Sequence, residues 1–248
     1  GNERSVLSRE DWHSDNILDR WIVARLHQLL GDIDSAMMDY NLPKAVRPLA
    51  IFIDDLSSWY LRRSRNRFKS GESQDKAAAI LTTSYVLQHL AIALAPFTPF
   101  LGEALWQKTT GFNYEHDDKS VHLLNWPTDL PVDERVLTEM AVVREIAELA
   151  LAERDEAGLK IRQVLPSLTI KGPTDRLSLL TSASLDILAD ELNVKHIVTE
   201  TNNSAGWEVK LDTTLTPELI REGLARELVR HINLLRKELG LTLSNRTI

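Results

Sequence analysis

Between Asp55 and Glu72 the sequence holds no acid. Inside that window Trp59-Tyr60-Leu61-Arg62-Arg63-Ser64-Arg65-Asn66-Arg67-Phe68-Lys69 gathers five positive charges behind two aromatic rings. Arginine binds phosphate bidentately and stacks its planar guanidinium on unpaired bases, so this composition suits a folded nucleic acid with exposed loop bases. At about 100° per residue, a helix through this region gathers Leu49, Phe52, Ile53, Leu56, Trp59 and Tyr60 into one apolar stripe. Continuing that stripe places Arg63 and Arg67 at its end, where they either pair with buried acids or reach a ligand at the tip of a bundle. Arg62, Arg65 and Lys69 fall on the solvent side, as a cationic face suited to phosphates. A second reading stands beside this one: basic residues in the last turns of a helix meet the negative end of its dipole favourably and need do nothing more. On charge alone the solvated helix end weighs more.

Other reactive residue types give less. His116, Asp117, Asp118 and His122 match no standard metal spacing, and a polar loop accounts for them. Asp54 and Asp55 would point about 100° apart on a helix, so they do not face each other as an acid–base pair; Arg62 or Arg65 are their expected partners. Ser57, Ser58 and His89 show no triad logic. Lys160 and Arg162 alternate as on a strand face, so they reach RNA or simply line a solvated edge. Trp106 and Trp126 read as core. Trp59, on the apolar stripe, reads as core rather than as a base-stacking platform. No catalytic residue and no metal ligand is expected.

These groups sit in 248 residues of ordinary globular composition, 43% hydrophobic and 26% charged, enough for one large domain or two smaller ones. With no cysteine, disulfides and thiolate metal sites are impossible, and a reducing compartment, the cytoplasm, is expected. No run approaches about 18 consecutive apolar residues, so no membrane span is expected. The opening Gly1-Asn2-Glu3-Arg4-Ser5 leads into no signal-peptide core. The net charge of -7 argues against a generically basic nucleic-acid binder. Divided after Thr128, the chain holds 14 basic against 16 acidic residues and then 15 against 20. Any RNA site must therefore be local.

The elements that would position the basic segment are mostly helical. Leu18, Trp21, Ile22, Leu26, Leu29, Leu30, Ile33, Met37 and Tyr40 recur at helical steps over 17–40, with Asp15 or Asn16 as cap. A second helix starts near Pro43 and ends at Ser70-Gly71-Glu72-Ser73. A third runs over about 75–94, stopped by Pro96, and a fourth starts at Pro99. Residues 111–127 read as a loop followed by a short extended segment. The fold class is mainly α: an antiparallel bundle over 1–128, then a connecting helix and a small α/β unit over 129–248. That second unit has a helix over 133–156, strands over 168–171, 194–198 and 207–211, a helix over 184–192 and a helix over 217–239 closed by Gly240.

The run from Asp54 to Phe68, with its Trp-Tyr-Leu-Arg-Arg-Ser-Arg core, closely resembles the helix that follows the catalytic core of isoleucyl-tRNA synthetases. Leu18-Asp19-Arg20-Trp21-Ile22-Val23-Ala24-Arg25-Leu26 is similar to the start of the class I anticodon-binding helical domain. Leu94-Ala95-Pro96-Phe97-Thr98-Pro99-Phe100-Leu101 and Ser120-Val121-His122-Leu123 fit that domain in order. Leu159-Lys160-Ile161-Arg162-Gln163 and the stretch from Glu218 to Arg230 resemble pieces of the same enzymes' C-terminal region. Val164 stands where the family has proline, and Asn245-Arg246-Thr247-Ile248 follows its Asp-Arg-Ile ending loosely. The Leu-Asp-Arg-Trp and Pro-Phe-Thr-Pro pieces are shared with valine- and leucine-type relatives.

The resemblance implies an anticodon-binding piece of a monomeric isoleucine–tRNA ligase that grips the anticodon stem-loop of isoleucine tRNA. Arg62, Arg65 and Lys69 would meet phosphates, Arg63 and Arg67 loop bases, and Lys160 and Arg162 the brace from the second unit. The His-x-Gly-His and Lys-Met-Ser-Lys-Ser signatures of class I synthetases are absent from these 248 residues. Aminoacylation and editing, with ATP and magnesium, would therefore belong to a catalytic domain elsewhere in the parent chain, and no cofactor is expected here. Two rivals remain: the same module of a valyl- or leucyl-tRNA synthetase, and a helical scaffold that buttresses the catalytic domain with little RNA affinity.

Overall fold

Asn16 accepts a hydrogen bond from the Leu18 amide at 2.9 Å and so fixes the start of the first helix, α1 (Ile17–Met38). The computed structural model describes residues 6–71, 73–202 and 206–241. They divide into two compact units, with the boundary between Leu137 and Thr138. The division falls inside a helix, α7 (Glu134–Glu156), rather than ahead of it as the sequence suggests.

In the first unit α1 buries Leu18, Trp21, Ile22, Leu26, Leu29, Leu30 and Ile33. The chain turns at Asp39-Tyr40-Asn41, and Asn41 caps α2 (Leu42–Asp54) through the Lys44 amide. A seven-residue π-helical segment, Asp55–Leu61, runs without a break into α3 (Arg62–Lys69). Ser73 then caps α4 (Gln74–Leu94), which packs against α1, α3 and α5 (Pro99–Thr110). By length and composition alone α4 is apolar enough to cross a bilayer, but Ala79, Tyr85, Val86, Leu90, Ala91 and Leu94 are buried within the bundle.

After α5 the sequence suggests an extended segment. The structure instead winds a short α6 (Tyr114–Asp117) and a 3-10 turn, Val121–Leu123. The Glu103 carboxylate causes this locally. It accepts from Ser120 Oγ at 2.7 Å and from the Val121 amide at 3.0 Å, curling the chain back onto α5. These hydrogen bonds and the charge of His122 outweigh the opposing effect of burial and hold the Glu103 carboxyl below its ordinary value.

The second unit contains a three-stranded sheet in the order β2-β1-β3. The central β1 (Leu165–Gly172) pairs in parallel with β2 (Val194–Thr201) and antiparallel with β3 (Glu208–Leu211). Parallel neighbours need a crossover, supplied by α8 (Thr174–Leu177) and α9 (Ser182–Leu192). A reciprocal Thr181–Ser184 capping box starts α9. Leu165, Leu168 and Ile170 of β1 are fully buried. Gly172 lies so close to the Trp207 ring that an added Cβ would come within 2.2 Å of it. The last helix, α10 (Pro217–Glu238), is capped by Thr216 and seated by its first turns, where Gln163 Nε2 donates to the Leu219 carbonyl at 2.9 Å. The family-like ending at 245–248 lies outside the described residues.

Candidate nucleic-acid interface

The helix bearing the basic segment owes its phase to the π-helical turn. Its buried seam runs through Ala45, Leu49, Phe52, Leu56, Tyr60 and Ser64, with the buried Asp55 beside it. The last three intervals are all four residues. A continuous α-helix advances about 40° beyond a full turn with each four-residue step, so those side chains would drift off the seam. Hydrogen bonds closing i to i+5 take an extra residue into the turn and cancel the drift.

The consequence differs from a uniform α-helical phase. Tyr60 and Ser64 are 0% exposed, whereas Trp59 and Arg63, which that phase puts in the stripe, are half-buried. Ile53, also assigned to the stripe, is 43% exposed. Arg62, Arg65 and Lys69 face solvent. The Arg62 Nε donates back to the Ser58 carbonyl at 2.6 Å.

Arg67 has the first of the two roles its position allowed: it pairs with buried acid. Its Nη1 and Nη2 meet Asp19 Oδ1 and Oδ2 at 2.7 and 2.8 Å, and its Nε meets both oxygens of Asp75 at 3.0 and 2.9 Å. Every guanidinium nitrogen of Arg67 is thus engaged by the buried Asp19 or by Asp75, whose side chain is 53% exposed. Asp19 is 0% exposed and also accepts from Tyr60 Oη at 2.8 Å and Ser14 Oγ at 2.6 Å. Burial pulls the Arg67 pKa down, but its hydrogen bonds and charge pairing with the two aspartates hold it above the ordinary arginine value. Burial and then the Asp19 charge push the Tyr60 phenol well up.

Asp55 has a partner that the sequence reading missed. Its Oδ2 accepts from Arg25 Nε of α1 at 2.9 Å, with the carboxylate only 1% exposed. Asp54 instead accepts from Ser58 Oγ at 2.8 Å. The acids flanking the basic segment thus tie it to α1 and to its own helix. Among the described residues no group of three or more His, Asp or Glu side chains is placed to hold a metal.

In the second unit Lys160 and Arg162 lie on a turn, not on a strand, since β1 begins only at Leu165. That turn wraps a buried cation. Arg154, 2% exposed, donates from Nη1 to the carbonyls of Lys160 at 2.8 Å and Gln163 at 2.9 Å, and from Nη2 to that of Leu192 at 2.8 Å. Burial lowers the Arg154 pKa. Lys160 and Arg162 are exposed, and Arg162 lies 3.8 Å from Glu227.

Two charged residues overlooked in the periodicity carried a legible signal. Asp19 stands three residues before Ile22 and seven before Leu26, inside the apolar stripe of α1. Arg154 stands four residues after Ala150 and seven after Ala147, inside that of α7. A charge at a stripe position needs a buried partner.

The family model of the anticodon-binding domain of tRNA ligase matches residues 19–169. The chain is also similar to curated isoleucine–tRNA ligases. It is 42% identical over 184 residues to that of Chlamydia caviae, covering 73% of the chain and 17% of the relative. It is 35% identical over 237 residues to that of Dehalococcoides mccartyi, covering 89% of the chain and 23% of the relative. It is 36% identical over 198 residues to that of Treponema pallidum, covering 78% and 18%. The chain thus spans about a fifth of the length of the relatives it matches.

Proposed function

Because the chain belongs to the family of anticodon-binding domains of tRNA ligases, we propose that it grips the anticodon stem-loop of isoleucine tRNA and orients that tRNA for ATP-dependent aminoacylation. The observation that carries this reading is the cationic face of Arg62, Arg65 and Lys69, held out from the bundle on a helix that Arg67 and Asp55 tie to α1. Phosphate contacts fix the register of a nucleic acid without reading its sequence, and such a face suits that task. Arg63, half-buried beside the face, meets loop bases in this reading. The aminoacylation site, its ATP and its magnesium belong to the remainder of a longer, cytoplasmic, monomeric polypeptide that carries its catalytic domain in cis. The choice of isoleucine rests on the relatives, which are isoleucine–tRNA ligases. Lys160 and Arg162 on the exposed turn of the second unit add phosphate contacts.

Filter binding of the full-length protein to isoleucine, valine and leucine tRNAs over a range of salt tests this reading. Replacing Arg62, Arg65 and Lys69 together with Glu is expected to weaken isoleucine-tRNA binding and to reduce the salt slope by about 2 to 3, roughly one per lost phosphate contact. Unchanged affinity at low salt would favour a scaffold. Preference for a valine or leucine tRNA would move the module to that type of enzyme.

A further inference from the structure

We infer that Asp19 and Arg67 are positioning residues for tRNA: they touch no RNA themselves and set the direction of the face formed by Arg62, Arg65 and Lys69. This rests on the reading of that face given above.

The helix that carries the face, α3, continues the π-helical segment without a break and packs against α4. Of its own eight residues it buries only Ser64. Its own charges also oppose it. Arg62 and Arg65 are three apart, and Arg63–Arg67 and Arg65–Lys69 are four apart, spacings at which like charges repel across a helix surface. Beyond its junction with the π-helical turn, apolar packing of α3 itself does not fix how it is rotated.

Polar tethers do. Arg67 joins α3 to the first turn of α1 through Asp19 and to the first turn of α4 through Asp75. Tyr60, at the end of the π-helical turn, reaches the same Asp19 oxygen as Arg67 Nη1, so the carboxylate grips the basic helix at two points seven residues apart in sequence. Ser14 holds the other oxygen from the α1 side. Two points fix a rotation where one would leave a swivel. Seven residues make about two α-helical turns, so Tyr60 and Arg67 share the face toward Asp19, and the same phase leaves Arg62, Arg65 and Lys69 outward.

Isoleucine-tRNA binding by the full-length protein across a salt series tests this, with Asp19→Asn, Tyr60→Phe and a triple Arg62→Gln, Arg65→Gln, Lys69→Gln variant. Asp19→Asn is expected to weaken binding about tenfold and to lower the salt slope by about 1 to 2, as a misdirected face loses phosphate contacts. Added to the triple variant, Asp19→Asn should then change nothing further, because the groups it positions are gone. Tyr60→Phe, which removes one tether and keeps every charge, should give a smaller loss that also vanishes in the triple background. It serves in place of Asp19→Asn if that variant does not fold. Gly102→Ala, which strains the bundle between α4 and α5, is the control for general destabilisation and should leave the slope unchanged. An unchanged slope in Asp19→Asn, or a loss that persists undiminished in the triple background, overturns the inference while leaving the face as the binding surface. Wild-type binding by the triple variant overturns the reading of the face itself.

Discussion

The two carboxylate oxygens of Asp19 receive the two terminal nitrogens of Arg67 at 2.7 and 2.8 Å, with the aspartate fully buried and the arginine side chain 12% exposed. Removing one member of such a pair leaves the other's charge in a site built to cancel it. Arg67→Met, which keeps the aliphatic stem, should therefore cost about 3 kcal/mol in urea unfolding of the protein, the low end for breaking a buried pair. Arg62→Met, on the exposed side of the same helix, should cost less than about 0.5 kcal/mol. Equal costs would mean that the Asp19 pair adds nothing to the bundle beyond ordinary surface electrostatics.

Acid should loosen the bundle through two buried histidines. His27 Nδ1 lies 2.7 Å from the Pro131 carbonyl, which can only accept, so Nδ1 carries the proton. Nε2 then accepts from Tyr85 Oη at 3.0 Å. Protonating His27 would turn that acceptor into a second donor facing the hydroxyl. Burial lowers the His27 pKa against the pull of the Pro131 hydrogen bond, and the charges of Arg9 and His89 lower it further. Burial likewise lowers that of His89, whose Nδ1 donates to the Tyr85 carbonyl at 2.9 Å, and it pushes the Tyr85 phenol up to about 12. Both folded values lie below the ordinary 6.5. The unfolded chain therefore takes up protons first. The stabilisation is full above the ordinary value and is lost as pH falls through it toward the lowered ones. The urea midpoint should drop between about pH 7.5 and about pH 5.5, and His27→Gln with His89→Gln should flatten that drop. A pH-independent midpoint in the parent protein would contradict this account.

The sequence was most legible where one period governs a long stretch. The stripe of α1, the Pro96 stop after α4 and the Gly240 close of α10 placed those helices and their ends to within a few residues, and Asn16, Ser73 and Thr216 cap their starts. It was least legible where a tertiary contact overrides the local pattern. Nothing in Asp55 to Leu61 announces i to i+5 hydrogen bonding. The extra residue there is tolerated because Tyr60 must reach Asp19, a partner 41 positions away. The alternation of Lys160 and Arg162 imitates a strand, yet Arg154 gathers the carbonyls around them into a turn. The outward set Arg62, Arg65 and Lys69 followed from charge and phase. The inward role of Arg67 needed Asp19, whose place inside the apolar stripe of α1 was the overlooked signal.

Two glycines in helices should respond to alanine in opposite directions. An added Cβ on Gly102 would lie 3.0 Å from the Ala91 carbonyl oxygen and 3.0 Å from Ala95 Cα, both backbone atoms of the neighbouring turn, which cannot rotate away. Gly102→Ala should force α4 and α5 apart and cost about 1–3 kcal/mol. An added Cβ on Gly31, within α1, meets nothing within 4 Å. Gly31→Ala should stabilise by up to about 1 kcal/mol, the helix preference of alanine over glycine. Thermal unfolding of both variants under one set of conditions decides the matter, and a shared sign would show that the α4–α5 approach is not as tight as the distances state.

Arg154 offers a test of how a buried cation can shape an exposed loop. It is 2% exposed, and its two terminal nitrogens donate to the carbonyls of Lys160, Gln163 and Leu192, so one planar group closes the turn bearing Lys160 and Arg162 and caps the end of α9. Lysine would keep the charge but is a point donor on a flexible stem and does not reproduce the rigid fork. In Arg154→Lys the turn should open locally while the sheet persists. The Gln163 amide, bonded to the Lys160 carbonyl at 2.9 Å within the turn, should exchange with deuterium at least tenfold faster, about 1.4 kcal/mol of lost local protection. The amide of Ile170 in the central strand should slow or hold its rate, since β1 is paired on both sides. Arg154→Met, which removes the donors altogether and leaves three carbonyls facing an apolar stem, should cost more, about 3 kcal/mol in global unfolding. If Gln163 exchanged in Arg154→Lys as it does in the parent protein, the turn would be held by its own backbone and not by the guanidinium beneath it.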